Sequence, residues 1–270
     1  MKIEQICVSE HATLTAVLHE KSREMPGIAA NQRTAMIVCP GGAYTSCSDR
    51  EADPPAIAFL NMGFQVFILR YAVGAYSGNK QPLRELAASV KLVRENAENW
   101  LVDDKKIVVC GFSAGGHLAA SLGVHWNDPE IVSCCGVENP CLLRPDAMVL
   151  GYPVITSGEY AHQGSIDQVK QNCQEDEVYW SLEKQVSSQT PPAFIWHTMN
   201  DQAVPVENTI LFAQSLHRAG VECECHLFAD GPHGMTTATP EVGTQSEHVK
   251  SWVTLCEQWL SAELNTEKIQ

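Results

Sequence analysis

Five short apolar runs recur along the chain: Ala35–Cys39, Phe64–Leu69, Lys106–Cys110, Ala147–Leu150 and Ala193–Trp196. Each is nearly continuous in apolar character, the pattern of strands covered on both faces in a parallel sheet. Val221–Phe228 alternates instead, which predicts a strand nearer an edge. From Leu83, apolar residues return at Leu86, Ala87, Val90, Val93 and Ala97, the helical period, with Pro82 suited to a first turn. Val206, Ile210, Ala213 and Leu216 repeat the spacing, and Gly220 follows as a stop. Val249, Trp252, Val253, Cys256 and Leu260 predict a last amphipathic helix. This alternation predicts an α/β fold, a mostly parallel central sheet with helices on both faces.

Two segments fall outside the rhythm. Residues 1–30 hold weaker strand candidates near Ile6–Val8 and Thr13–Leu18, which predict an antiparallel edge. Residues Thr156–Thr190 have poor periodicity and many Gln, Ser and Glu. A connection that long inside a compact domain is usually functional, so 156–190 is expected to be a lid or substrate-binding insertion. The chain, 1–270, is expected to form a single domain around it.

Composition removes some classes of function. The 270 residues carry 18 Lys and Arg against 32 Asp and Glu, a formal charge of −14. That surface repels phosphate backbones and anionic lipid, which argues against nucleic-acid and membrane partners. The best apolar run, around Ala147–Ile155, is broken by Gly151 and Pro153 and falls short of the ~18 residues of a span. The 11 cysteines are odd in number and include no Cys-x-x-Cys pair, which fits a reducing compartment. Met1–Gln5 has no basic segment leading into an apolar one, so a signal peptide is not expected and the cytoplasm is the expected location. Cys39 and Cys110 read as small core residues; neither Cys134-Cys135 nor Cys223-x-Cys225 suggests zinc, and no metal or cofactor is expected.

The chemistry concentrates at Gly111-Phe112-Ser113-Ala114-Gly115-Gly116, a Gly-x-Ser-x-Gly motif. A buried strand runs into it and a helical stretch, His117–His125, follows. A nucleophilic serine needs such a tight strand-to-helix turn to thrust its hydroxyl out of the sheet. It also needs a base held by an acid. In α/β hydrolases the chain order is Ser, then Asp or Glu, then His. Asp201 comes 88 residues after Ser113, just beyond the strand Ala193–Trp196, and His233 a further 32 residues on, beyond the strand ending at Phe228. Both loops follow strand C-termini, where open α/β sheets place ligands. His197 is expected to pack beside the acid, His117 sits on the nucleophile helix, and Asp230 is too close in sequence to His233 to orient its ring.

The tetrahedral intermediate of acyl transfer needs N–H donors. One is expected from Ala114, and others from the loop Cys39-Pro40-Gly41-Gly42-Ala43-Tyr44.

Taken together, Pro40–Tyr44, Gly111–His117, His197–Pro205 and Gly231–Gly234 resemble the α/β-hydrolase esterases of the acetyl-esterase and acetyl-xylan-esterase type. Hormone-sensitive-lipase-like carboxylesterases are more distant. The resemblance covers about residues 35–260. It implies an α/β-hydrolase fold, esterase activity on short acyl groups, with acetylated sugars as a substrate class, and oxyanion donors at Gly42, Ala43 and Ala114. Tyr44 stands where the family places a bulky aromatic and, with Tyr71, is expected to line the substrate pocket. Pro40 replaces the family's usual histidine and Ala43 its third glycine.

Three functions share these residues. A serine carboxylesterase acting on a small-molecule ester comes first. A hydrolase of another bond with the same triad, an arylformamidase or small peptidase, comes second. A non-catalytic binding protein of the same fold is the third, although such proteins commonly lose a triad member and Ser113, Asp201 and His233 are all present. The sequence does not set the oligomeric state.

Overall fold

In the computed structural model, which describes residues 1–22, 24 and 33–265, a single sheet of eight strands carries the described chain. They are β1 (Lys2–Ser9), β2 (Ala12–Leu18), β3 (Arg33–Cys39), β4 (Gln65–Arg70), β5 (Val102–Phe112), β6 (Ala147–Gly151), β7 (Ala193–Thr198) and β8 (Cys223–Phe228). Their order across the sheet is β1-β2-β4-β3-β5-β6-β7-β8. β1 pairs antiparallel with β2 and β2 with β4; the other pairs are parallel. The apolar runs are the buried inner strands: Met36–Cys39, Ile107–Phe112 and Ala147–Gly151 are shielded at every position. β2 buries alternate residues, Leu14, Ala16 and Leu18, as an outer strand with one covered face does.

Helices cover both faces. On one, α2 (Gln81–Glu95), α3 (Ala114–His125) and α6 (Glu207–Arg218) pack Leu86, Val90, Leu118, Leu122 and Phe212 against the sheet. On the other, α1 (Asp53–Asn61) and α8 (Trp252–Asn265) supply Phe59, Trp252, Cys256 and Leu260. Short helices α4 (Pro129–Cys134), α5 (Gln163–Val169) and α7 (Glu247–Lys250) are the other α-helices among the described residues. Two details differ from the periodic reading. The C-terminal pattern spans α7 and α8, with Ser246 Oγ accepting the Val249 N–H at the start of α7. On α6, Ile210 faces solvent while polar Asn208 and Thr209 are buried. Asn208 accepts the N–H groups of Ile155 and Thr156, and Thr209 meets His197, so hydrogen bonding turned this face inward.

The 156–190 insertion is packed down rather than hanging free. It buries Ile166, Val169, Trp180 and Leu182. Gln171 accepts the Asn79 N–H at 2.7 Å, and Ser77 Oγ donates to the Gln168 carbonyl at 3.3 Å. Buried Lys80 ties the insertion's Glu175 to Glu130 and Asp128 beside α4. Residues 156–190 are therefore tied by hydrogen bonds and ion pairs to residues 77–80 and to α4.

Candidate active site

The sharp turn between β5 and α3 begins the site. Ser113 adopts φ 54° and ψ −120°, a strained conformation for a residue with a side chain. It is held from both directions: its N–H donates to the Gly151 carbonyl, and its own carbonyl accepts from Val154 and His117. The turn exists because glycines let strand and helix approach. A methyl on Gly111 would fall 2.0 Å from the Gly115 carbonyl oxygen, and one on Gly115 2.0 Å from that of Cys39.

The three residues expected from chain order meet here. His233 Nε2 lies 2.9 Å from Ser113 Oγ, and His233 Nδ1 lies 2.7 Å from Asp201 Oδ2. The Asp201 side chain is buried. Its Oδ1 accepts the N–H groups of Ala203 and Val204, and its Oδ2 also meets His197 Nε2 at 3.2 Å. Burial pushes the carboxyl pKa up, but hydrogen bonds from His197 and His233 outweigh it and hold Asp201 well below the usual carboxylate range. Asp201 is thus fixed as an anion behind the imidazole. His197 packs beside the acid, with Thr209 Oγ1 at its other ring nitrogen. Asp230 accepts from Asn200 rather than from His233.

The loop after β3 faces this cluster. Gly42, Ala43 and Tyr44 take φ values of 126°, 54° and 59°. The N–H groups of Gly42 and Ala43 bond to no other described residue, and Ala114 begins α3 where its N–H has no helical partner. These are the three expected donors.

Tyr44 and Tyr71 require a correction. Both are expected against the substrate, but they are only 1% and 2% exposed. The left-handed turn at Ala43 and Tyr44 carries the Tyr44 ring inward, where its hydroxyl meets His117 Nδ1 at 2.9 Å. Tyr71 donates to the Pro40 carbonyl at 2.6 Å. The two tyrosines support the loop from beneath.

Three residues near the site carry no sequence signal. Glu51 accepts the Gly41 N–H at 3.0 Å and the Tyr152 hydroxyl at 2.8 Å. The Tyr152 ring stands edge-on to His233 at 4.8 Å. His162 caps α5 and brings the insertion close enough for the His233 and Asp201 charges to reach it; burial first, then His233, lowers its pKa. Among the described residues no cluster of His, Cys, Asp or Glu could hold a metal.

The BD-FAE family model matches residues 24–216. The chain belongs to the BD-FAE family. This BD-FAE chain is 40% identical over 220 residues to endo-1,4-beta-xylanase B of Butyrivibrio fibrisolvens, covering 78% of this chain and 34% of that protein. It is 28% identical over 213 residues to an acetylxylan esterase of Xylanibacter ruminicola, covering 76% and 42%. It thus spans about a third to less than half of these relatives' lengths. A crystal structure of an acetyl ester-xyloside bifunctional hydrolase from Caldicellulosiruptor lactoaceticus superimposes with a TM-score of 0.81 at 33% identity, covering 96% of both chains. The fold of this BD-FAE chain is that of the α/β hydrolases. Among its described residues no helix is long and apolar enough to cross a membrane.

Proposed function

We propose that this protein hydrolyses short-chain acyl esters, with acetyl groups on carbohydrate as the substrate class. One observation carries the reading: Ser113, His233 and Asp201 stand in line at 2.9 and 2.7 Å beside a turn whose Gly42 and Ala43 N–H groups have no partner among the described residues. Ser113 Oγ attacks the ester carbonyl carbon while His233 Nε2 takes its proton. Asp201, already anionic, holds the Nδ1–H and stabilises the imidazolium that forms. The N–H groups of Gly42, Ala43 and Ala114 stabilise the oxyanion. His233 returns the proton to the leaving alkoxide, then activates the water that releases the acyl group from Ser113. The relatives named for acetylxylan and acetyl-ester hydrolysis favour acetylated sugars.

The test is an activated acetate ester and a panel of acetylated xylo-oligosaccharides, assayed on wild type and Ser113→Ala. The expected outcome is turnover on both substrates and its loss in the variant, with thermal unfolding unchanged. Residual catalysis of ~10³–10⁴-fold over water can survive a missing triad member, so the assay must resolve that floor. Ser113→Ala activity near wild type would refute the nucleophile. Turnover of acyl amides instead of esters would favour an amide-bond hydrolase with the same residues.

A further inference from the structure

Glu51 is a carboxylate inside the protein, only 4% exposed, at the end of a single helical turn, Asp49–Glu51. Its two oxygens hold two different parts of the site. Oε2 accepts the Gly41 N–H, at the root of the turn that presents the Gly42 and Ala43 N–H groups. Oε1 accepts the Tyr152 hydroxyl, and that hydroxyl oxygen in turn accepts the Thr236 N–H at 3.2 Å. Thr236 lies three residues beyond His233, whose ring packs against Tyr152. Gly41 itself is packed closely between Glu51 and the nucleophile: a methyl on it would fall 2.6 Å from Glu51 Oε2 and 2.9 Å from Ser113 Cβ.

We infer that Glu51 is a positioning residue for the hydrolytic reaction, fixing the oxyanion turn through Gly41 and coupling it through Tyr152 to the loop that carries His233. The inference rests on the assignment of Ser113 and His233 above. Gly42, Ala43 and Tyr44 hold a left-handed path that relaxes unless its root is anchored. Glu51 anchors it while leaving the next N–H groups free for the oxyanion. Its contribution therefore falls on the transition state, not on ground-state binding.

The experiment compares Glu51→Ala, Glu51→Gln, Glu51→Asp and Tyr152→Phe on an acetate ester. Glutamine keeps the reach: its carbonyl can accept from Gly41, its amide can donate to Tyr152, and the tyrosine O–H can turn toward Thr236 Oγ1, 3.4 Å away. Aspartate keeps the carboxyl group and loses the reach. Glu51→Ala and Glu51→Asp should lower kcat about 10²-fold with KM nearly unchanged, the size expected when oxyanion donors are misplaced. Glu51→Gln should restore most of the loss, and Tyr152→Phe should fall between. An alkylboronic acid supplies a second readout. Its boron accepts the Ser113 Oγ electron pair as the hydroxyl proton passes to His233, and the tetrahedral adduct places an oxygen in the oxyanion hole. Its affinity should fall in step with kcat. If Glu51→Ala unfolds, Tyr152→Phe and Glu51→Asp carry the same comparison. Rescue by Asp but not Gln, or a loss confined to KM, would overturn the role. So would boronate affinity that does not follow kcat. If Ser113→Ala stays active, the nucleophile assignment fails instead; if it is inactive and Glu51→Ala is unimpaired, only this inference fails.

Discussion

His117 makes the stability of this protein a test of how its site is supported. The ring is fully buried on α3, between the Tyr44 hydroxyl at Nδ1 and the face of Trp180. Burial, with a smaller contribution from nearby His125, lowers its pKa from 6.5 to about 4, while the Trp180 backbone opposes the shift. His125, largely buried against Tyr179, is lowered to about 4 by the same desolvation. Both are therefore neutral in the folded protein at pH 5 and protonated in the unfolded chain. Stability from each is complete above about pH 6.5 and is lost as pH falls toward 4, because there the unfolded state binds the extra proton. For His117 the gap between 6.5 and about 4 corresponds to about 3 kcal/mol, at up to ~1.4 kcal/mol per pH unit. Asp201 acts lower down: its depressed pKa gives stability that is present above the ordinary carboxylate value and lost only below it.

Urea unfolding at half-unit steps from pH 7.5 to 4.5 checks this, with His117→Gln as the comparison. Wild type should lose several kcal/mol across the window. The variant, which cannot titrate at 117, should be less stable at pH 7.5 and show a shallower slope below 6.5. A flat wild-type profile between pH 6.5 and 4.5 would refute the burial argument. Identical slopes in both proteins would assign the loss to His125 and others, and remove His117 from it.

Other outcomes follow from single contacts. Asp201→Asn should keep the fold and lower kcat by ~10⁴-fold, because the amide no longer enforces the required imidazole tautomer; stopped or initial-rate kinetics on an acetate ester measure it. Gly115→Ala drives a methyl to within 2.0 Å of the Cys39 carbonyl oxygen, so it should cost about 3 kcal/mol or more, seen as a lowered Tm or loss of soluble protein. Lys80→Ala leaves Asp128, Glu130 and Glu175 facing one another without their shared cation. The cost should be about 2 kcal/mol, below the ~3–5 of a fully buried pair because Glu130 is partly exposed, and limited proteolysis should open the 156–190 segment. Tyr44→Phe removes the bond to His117 and should cost about 1 kcal/mol while leaving the ratio of acetyl to octanoyl ester hydrolysis unchanged, since the ring is buried.

The sheet and the candidate triad were legible for the same reason. Inner strands such as Ile107–Phe112 must be apolar throughout, and acyl-transfer chemistry restricts which residue types can stand at their ends. What escaped was set by tertiary approach. Glu51 sits in Asp49-Arg50-Glu51-Ala52-Asp53, which reads as a solvated charged stretch; its partners are the Gly41 N–H and the hydroxyl of Tyr152, 101 residues away. α1 reads Asp-Pro-Pro-Ala-Ile-Ala-Phe-Leu-Asn, apolar on too many sides for a period to show, and Ile57 is left in solvent. The burial of Tyr44 depends on left-handed backbone at Ala43 and Tyr44, and neither residue type announces it as glycine would.

The strain around the site explains why so many polar groups are buried there. Ala43, Tyr44, Ser113, Tyr152 and Thr236 all have positive φ, at 54°, 59°, 54°, 37° and 49°. At ~1–3 kcal/mol each, such residues together cost an amount comparable to the ~5–15 kcal/mol that stabilises a whole domain. They persist only where neighbours hold them, and four of the five have a hydrogen-bonded holder. Tyr44 has His117, Ser113 has the Gly151 carbonyl and the Val154 N–H, Tyr152 has Glu51, and the Thr236 carbonyl accepts the Trp252 Nε1–H at 2.7 Å. His117 and Glu51 are thus a histidine and a carboxylate kept inside the protein by the backbone they brace. It follows that acid strong enough to protonate His117 should disturb the Gly42–Tyr44 turn before it reaches Asp201. Loss of fold and loss of site should then share one origin on the acid side.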